Sequence, residues 1–183
     1  MFGIIILILI VIIVIMGISI YNKLVKEKNY VDEAFSTIDV YLKKRYDLIP
    51  NLVSTVKGYK DYEGDTLTRV IEARNRYMSA TTPEEKIANE NMITGALTKL
   101  FALTESYPEL KANQNFMQLQ DELVKLESEI LQSRKYYNGT VRNYNTLCQT
   151  FPAVIFARIF GFTNYPYFKV ENEEEKKNVK VEF

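Results

Sequence analysis

Residues 2–20 read FGIIILILIVIIVIMGISI, nineteen residues without a charge, and every side chain from Ile4 to Ile15 is Ile, Leu or Val. At about 1.5 Å rise per residue a helix of this length spans roughly 28 Å, about the hydrocarbon thickness of a bilayer. Residues 1–22 are therefore expected to form a transmembrane anchor. A cleaved signal peptide needs a basic start, a shorter apolar run and a small-x-small cleavage site. Met1, Phe2 and Gly3 carry no basic side chain and no A-x-A pattern follows Ile20, so the anchor is expected to stay uncleaved.

Lys and Arg near the ends of a span set its orientation. Lys23, Lys26 and Lys28 follow the span at once, and Lys43, Lys44 and Arg45 lie further on. The expected topology is single-pass, in a bacterial inner (cell) membrane, with the short N-terminus outside and the rest of the chain cytoplasmic. Lys plus Arg equals Asp plus Glu at 23 each, so no overall basic field supports nucleic-acid binding. Cys148 is the only cysteine, which rules out an intramolecular disulfide. Histidine is absent, removing the commonest general base and the commonest transition-metal ligand.

Helix periodicity dominates from Tyr21 to Thr150. Val31, Phe35, Ile38, Leu42, Arg45, Ile49, Leu52, Val56 and Tyr59 alternate at spacings of four and three, a coiled-coil-type seam. Pro50 removes one helical hydrogen bond, yet the seam keeps its phase across it, which predicts one kinked helix. That helix is expected to end near Gly64, with Asp65 capping the next. A second helix over roughly 65–80 should place Leu67, Val70, Ile71, Arg74 and Met78 on one side. Thr82, Pro83 and Glu85 form a capping-box signal for a third helix bearing Ile87, Ile93, Leu97, Leu100 and Leu103, closed by Tyr107-Pro108. A fourth, from about Asn113 to Thr150, has the seam Phe116, Leu119, Leu123, Leu126, Ile130, Ser133, Tyr137, Val141, Tyr144 and Cys148. The expected fold is all-α: an N-terminal transmembrane helix followed by an antiparallel bundle of four long helices over residues 23–168. Residues 169–183 form a charged tail too poor in apolar surface to order itself.

Several segments, in order, carry a resemblance: YNKLV (21–25), IDVYLKKRYDLIPNLVSTVKGY (38–59), YPELKANQNF (107–116), YYNGTVRNYN (136–145), and the FP and GF around 151–162. Together they resemble the LemA family of bacterial membrane proteins, over essentially the whole chain. The resemblance implies one membrane helix, an extracytoplasmic N-terminus and an antiparallel helical bundle, and it implies no defined biochemical activity. Some family members occur beside membrane metalloproteases or in magnetosome systems, which hints at a membrane metalloprotease as partner.

Three sets of residues stand out as candidate sites. The first is a polar cluster of Arg45, Tyr137, Asn138, Tyr144 and Asn145. Arg45 sits at a seam position; the expectation is a packed stem with its guanidinium snorkelling outward, and the sharper alternative is a buried ion pair with a carboxylate from another helix. The Tyr-Asn pairs recur seven residues apart, so each lies on one helical face. They either bind a ligand or, as is commoner, hydrogen-bond neighbouring helices and fix register. Asp39, Asp47 and Asn51 read as a solvated face. Cys148, without histidine to activate it, reads as a core residue.

The second set is a candidate membrane interface: Phe151, Phe156, Arg158, Phe160 and Phe162, extended by Tyr165, Tyr167 and Phe168. Helix lengths at about 1.5 Å per residue bring Thr150 back near the level at which the chain leaves the membrane. An interfacial helix around 152–160 with Arg158 snorkelling is one reading, and rings that close the bottom of the bundle are the other. The third set is a tail motif, Val181 and Phe183, suited to strand addition on a PDZ-type partner.

No catalytic residue, metal-ligand set or cofactor is expected. The expected role is a non-enzymatic scaffold or adaptor at the cytoplasmic face of the inner membrane, with the bilayer and an unidentified membrane or cytoplasmic protein as partners and the oligomeric state open. The alternative is an envelope sensor that binds a small ligand and signals by helix movement.

Overall fold

The computed structural model describes residues 2–58 and 64–168. Tyr59, the side chain of Leu103 and the tail with Val181 and Phe183 lie outside the described residues. Among the described residues there are six helices and no strand: α1 (Phe2–Lys57), α2 (Gly64–Ser79), α3 (Pro83–Thr104), α4 (Pro108–Lys111), α5 (Gln114–Gln149) and α6 (Ala153–Ile159). The all-α expectation holds, with two short helices, α4 and α6, added to the four expected ones. Pro108 opens α4 at its first turn rather than closing α3 directly.

The N-terminal part of α1 is long and apolar enough to cross a membrane. Ile4 through Ile15 are each between 48% and 64% exposed. Exposing an unbroken run of such side chains to water opposes the hydrophobic effect; in a bilayer it is the favourable state.

Two compact units are distinguished. The first combines residues 2–43 with 126–167, and the second combines residues 44–125 with Phe168. Nothing in the sequence marks this division, since α1 and α5 each contribute to both units.

In the first unit Leu24, Val31, Ala34, Ile38 and Leu42 of α1 and Ile130, Tyr137, Val141, Tyr144 and Cys148 of α5 are buried. All of these except Leu24 and Ala34 are seam residues the spacing predicts, and Phe35, which it also places in the seam, is half-buried. The helices run in opposite directions: Tyr137 lies against Phe35, and Thr150 lines a surface groove with Lys23. Cys148 is a buried free thiol, as its sequence context leads one to expect.

In the second unit Arg45, Tyr46, Ile49, Leu52 and Val56 continue the seam through Pro50, which lies inside α1. The proline ring cannot donate the amide hydrogen that a helix directs to the carbonyl four residues back, here that of Tyr46. The Arg74 Nε of α2 donates to that carbonyl at 3.1 Å. A side chain from a neighbouring helix thus supplies the bond the proline removes, which explains how α1 stays continuous across Pro50. We expect Arg74→Met to destabilise the protein by about 1–2 kcal/mol, the worth of a hydrogen bond to a buried carbonyl. Pro50→Ala in the same chain should recover most of that loss by restoring the backbone donor. Thermal unfolding of the detergent-solubilised variants, followed by circular dichroism, checks both.

The stripe that α2 buries differs from the expected one. Leu67, Val70, Ala73 and Tyr77 are buried, whereas Met78 is 51% exposed. The Tyr77 ring stacks on Tyr46 with centroids 4.1 Å apart, and that contact turns the helix face toward Ala73 and Tyr77. Asp65 lies in the first turn of α2, where its charge favours the helix dipole, rather than at a cap. At the start of α3 the capping box forms as the sequence predicts. The Glu85 amide donates to Thr82 Oγ1 at 3.2 Å and the Thr82 amide to Glu85 Oε2 at 3.3 Å, joined by the Thr81 amide at 2.9 Å. These backbone donors hold the Glu85 carboxyl below its ordinary range. The three residues before Pro83 turn the chain back, and α3 packs on α2. At α5, Asn113 Oδ1 accepts from the Phe116 amide at 3.1 Å, the geometry of an N-cap.

Candidate functional site

The residues of the expected polar cluster are divided between the two units. Arg45 belongs to the second unit; Tyr137, Asn138, Tyr144 and Asn145 belong to the first.

Arg45 does not snorkel. Its side chain and that of Glu90 on α3 are both fully buried, and its guanidinium meets Glu90 Oε1 at 2.8 Å. A second guanidinium nitrogen donates to Thr94 Oγ1 at 3.2 Å, and the guanidinium carbon lies 5.4 Å from the Tyr46 ring centroid. The outward-pointing reading therefore gives way to the buried ion pair. A guanidinium is stable at a seam only if a carboxylate shares its desolvated space, and Glu90 provides one. Glu90 was not singled out from the sequence; the signal that could have found it is its helical phase with Ile87, Ile93 and Leu97, where an acid calls for a buried partner.

In the first unit the polar groups of α5 grip the chain itself. The Asn145 amide forms a two-bond pair with the backbone of Tyr165, its Nδ2 donating to the Tyr165 carbonyl at 2.9 Å and its Oδ1 accepting from the Tyr165 amide at 3.0 Å. The Tyr137 hydroxyl donates to the Pro166 carbonyl at 2.9 Å. The Tyr165 hydroxyl in turn donates to Asp32 Oδ1 on α1 at 2.6 Å, and Lys28 holds the other oxygen of Asp32 at 2.8 Å. Residues 162–168 have no regular secondary structure. Their backbone therefore needs partners from side chains, and these residues supply them. The bonds run to an extended segment, not to neighbouring helices as the Tyr-Asn spacing led us to expect. Asn138 is half-buried and takes no part in these bonds to residues 165 and 166.

The electrostatics suit a closed strap. Burial, reinforced by the hydrogen bond to Asp32, raises the Tyr165 phenol above its ordinary value. The hydrogen bond to Asp32 raises the Lys28 ammonium. Tyr144 packs edge-on against the Tyr165 ring, with centroids 5.3 Å apart. Burial, and then the neighbouring Cys148, push its phenol up, and burial pushes the Cys148 thiol up. A thiol shifted that way stays protonated, the opposite of what a nucleophile needs.

The aromatic segment divides in two. The Phe160 and Phe162 rings lie edge-on to Tyr21, with centroids 4.9 and 5.8 Å from it, and Phe156 lies against Gly17. Phe151 is 81% exposed and Arg158 is exposed. Tyr165 departs from the expected interfacial position. It sits beside Asp32, eleven residues beyond Tyr21 on α1, or about 16 Å further along the helix. Phe168 is buried in the second unit. Pro166 disfavours helical backbone at Tyr165, and the chain climbs away from the span after Phe162 instead of staying level with it.

Among the described residues, no group of three His, Cys, Asp or Glu side chains is gathered as a metal site.

Comparison with known proteins gives a consistent picture. The chain is 30% identical over 139 residues to Protein LemA of Metamycoplasma hominis, covering 74% of this chain and 59% of that protein. It is also 30% identical over 73 residues to the magnetosome protein MamQ of Magnetospirillum gryphiswaldense, covering 40% of this chain and 27% of that protein. The chain thus spans less than two thirds of the length of these relatives. With the LemA family model matching residues 34–183, and with the apolar helix, the long seams and the Tyr-Asn repeat all in place, the chain belongs to the LemA family.

Proposed function

We propose that this membrane-associated protein is a scaffold or adaptor at the cytoplasmic face of the bacterial inner membrane, anchored by α1 with its N-terminus outside. The observation that carries the reading is the use to which the polar residues are put. Asn145, Tyr137 and Tyr165 spend their hydrogen bonds on fastening residues 165 and 166, and Arg45 spends its charge on Glu90. Groups committed in this way shape a surface for a partner instead of receiving a ligand. The lysines just past the span supply the orientation. The partner is a membrane or cytoplasmic protein that docks on the exposed helix faces.

The test is made in cells. Protease added to intact spheroplasts should leave the chain beyond Tyr21 uncut, and amine crosslinking in the same cells should join its surface lysines to a reproducible protein partner. Digestion of the chain from outside would overturn the orientation. Crosslinks confined to the chain itself, with a small molecule co-purifying in its place, would favour a ligand-binding sensor.

A further inference from the structure

We infer that α6 is a second membrane-seated element: a short helix lying in the lipid interface alongside the end of the α1 span, with Phe151, Ile155 and Ile159 turned toward lipid. Three observations carry this.

The first is the level of α6 along α1. A Cβ added at Gly17 would meet Phe156 Cε1 at 2.9 Å, and Phe160 packs on Tyr21. Ile13, Val14, Gly17, Ile18, Tyr21, Phe156 and Phe160 line an apolar groove of about 440 Å³. Gly17 and Ile18 belong to the uncharged run of residues 2–20, so the helix is level with the last turns of the span, not with the water beyond it.

The second is where the surroundings turn polar. Further along α1, Lys23 and Glu27 line another groove, of about 420 Å³, with Arg142, Asn143, Thr146, Leu147 and Thr150. The boundary between apolar and charged surface in this unit therefore falls between Tyr21 and Lys23. The contacts of α6 with α1 lie on the apolar side of it.

The third is the outer face of α6. Ala153 and Ala157 are buried. Phe151, Ile155 and Ile159 recur every four residues and are 81%, 48% and 68% exposed, with Phe160 at 55%. Within α6 Ile155 and Ile159, four apart, share a helix face, with Phe151 exposed just before the helix and Phe160 just after it, so the exposed side is apolar apart from Arg158. A surface of this kind beside a membrane-crossing helix continues the lipid-facing surface of that helix. Aromatic rings at such a level are favoured at headgroup depth, and the exposed Arg158 has a stem long enough to bring its charge to the headgroups.

The chain has no tryptophan, so one introduced tryptophan is the sole indole reporter. The full-length Ile159→Trp and Ile155→Trp variants, each alone, are reconstituted into vesicles containing phospholipid brominated near the top of its acyl chains. Ile15→Trp, nearer the end of the span that α6 flanks, is the positive reference, and Val124→Trp, at an exposed position, is the aqueous one. Bromolipid should quench both α6 variants at least roughly half as strongly as the span reference, as expected for a helix seated in the interface, while iodide barely affects them. Strong iodide quenching with no bromolipid effect would overturn the proposal. So would a shielded indole that neither agent quenches, which would mean that protein, such as a second copy of this chain, covers the face. Both substituted positions are exposed, and an unchanged helical circular-dichroism spectrum confirms that each variant is folded.

Discussion

Glu90→Leu is expected to destabilise the protein by about 3–5 kcal/mol, because it leaves a guanidinium buried without its carboxylate. The Arg45 and Glu90 side chains have no exposure to solvent, so bulk water cannot take the place of the missing partner. Replacing both, as Arg45→Met with Glu90→Leu, should restore most of the stability, since a well-packed apolar pair avoids the desolvation that the ions incur. The contrast between the single and double variants identifies the pair as a device that sets the register of α1 against α3. Thermal unfolding in detergent measures it. A single variant within about 1 kcal/mol of the parent would mean that Arg45 reaches water after all, as an exposed ion pair of ordinary worth would allow.

Asn145→Ala should release the strap. It deletes two hydrogen bonds to the Tyr165 backbone. At about 1–1.5 kcal/mol each, the opening free energy of this segment should fall by about 2–3 kcal/mol. Exchange of the Tyr165 amide with solvent deuterium should then speed up by roughly 30- to 140-fold, given about 1.4 kcal/mol per factor of ten. Amides in the middle of α5 should keep their protection, because the helical bonds there do not depend on the Asn145 side chain. Equal loss of protection along α5 would mean that Asn145 supports the core generally and does not act as a clasp.

What was legible in the sequence follows from the range of the forces involved. The α1 and α5 seams were readable because a helix repeats its buried face every three or four residues, and Val31, Ile38, Leu42, Ile49 and Val56 obey that repeat and are buried. The box at Thr82 and Glu85 was readable because all its partners lie within a few residues. Arg45 was visible as an oddity, but the choice between snorkelling and pairing depended on Glu90, forty-five residues away, and spacing within α1 says nothing about that. On α2, the expectation placed Met78 inward by apolar character. The stacking of Tyr77 on Tyr46 decided otherwise, and only the packed structure reveals such a contact. The strap was not legible at all. Residues 162–168 have no period, and their bonds to Asn145, Tyr137 and Asp32 join parts of the chain that sequence reading treats separately. The Tyr-Asn repeat did point to two of the clasping residues, Tyr137 and Asn145, but to the wrong kind of partner.

On the proposed reading the polar groups of α5 bind the chain's own strap, residues 162–168, and this unit is complete without a ligand. Deuterium exchange at the Tyr165 amide of the purified, full-length protein in lipid nanodiscs tests that claim most directly. Exchange should be slow in the parent protein with nothing added, and that protection should be lost in Asn145→Ala. Rapid exchange of residues 162–167 in the parent, with protection gained only on adding a small-molecule extract of the cells, would contradict it and make the Tyr-Asn face of α5 a ligand site.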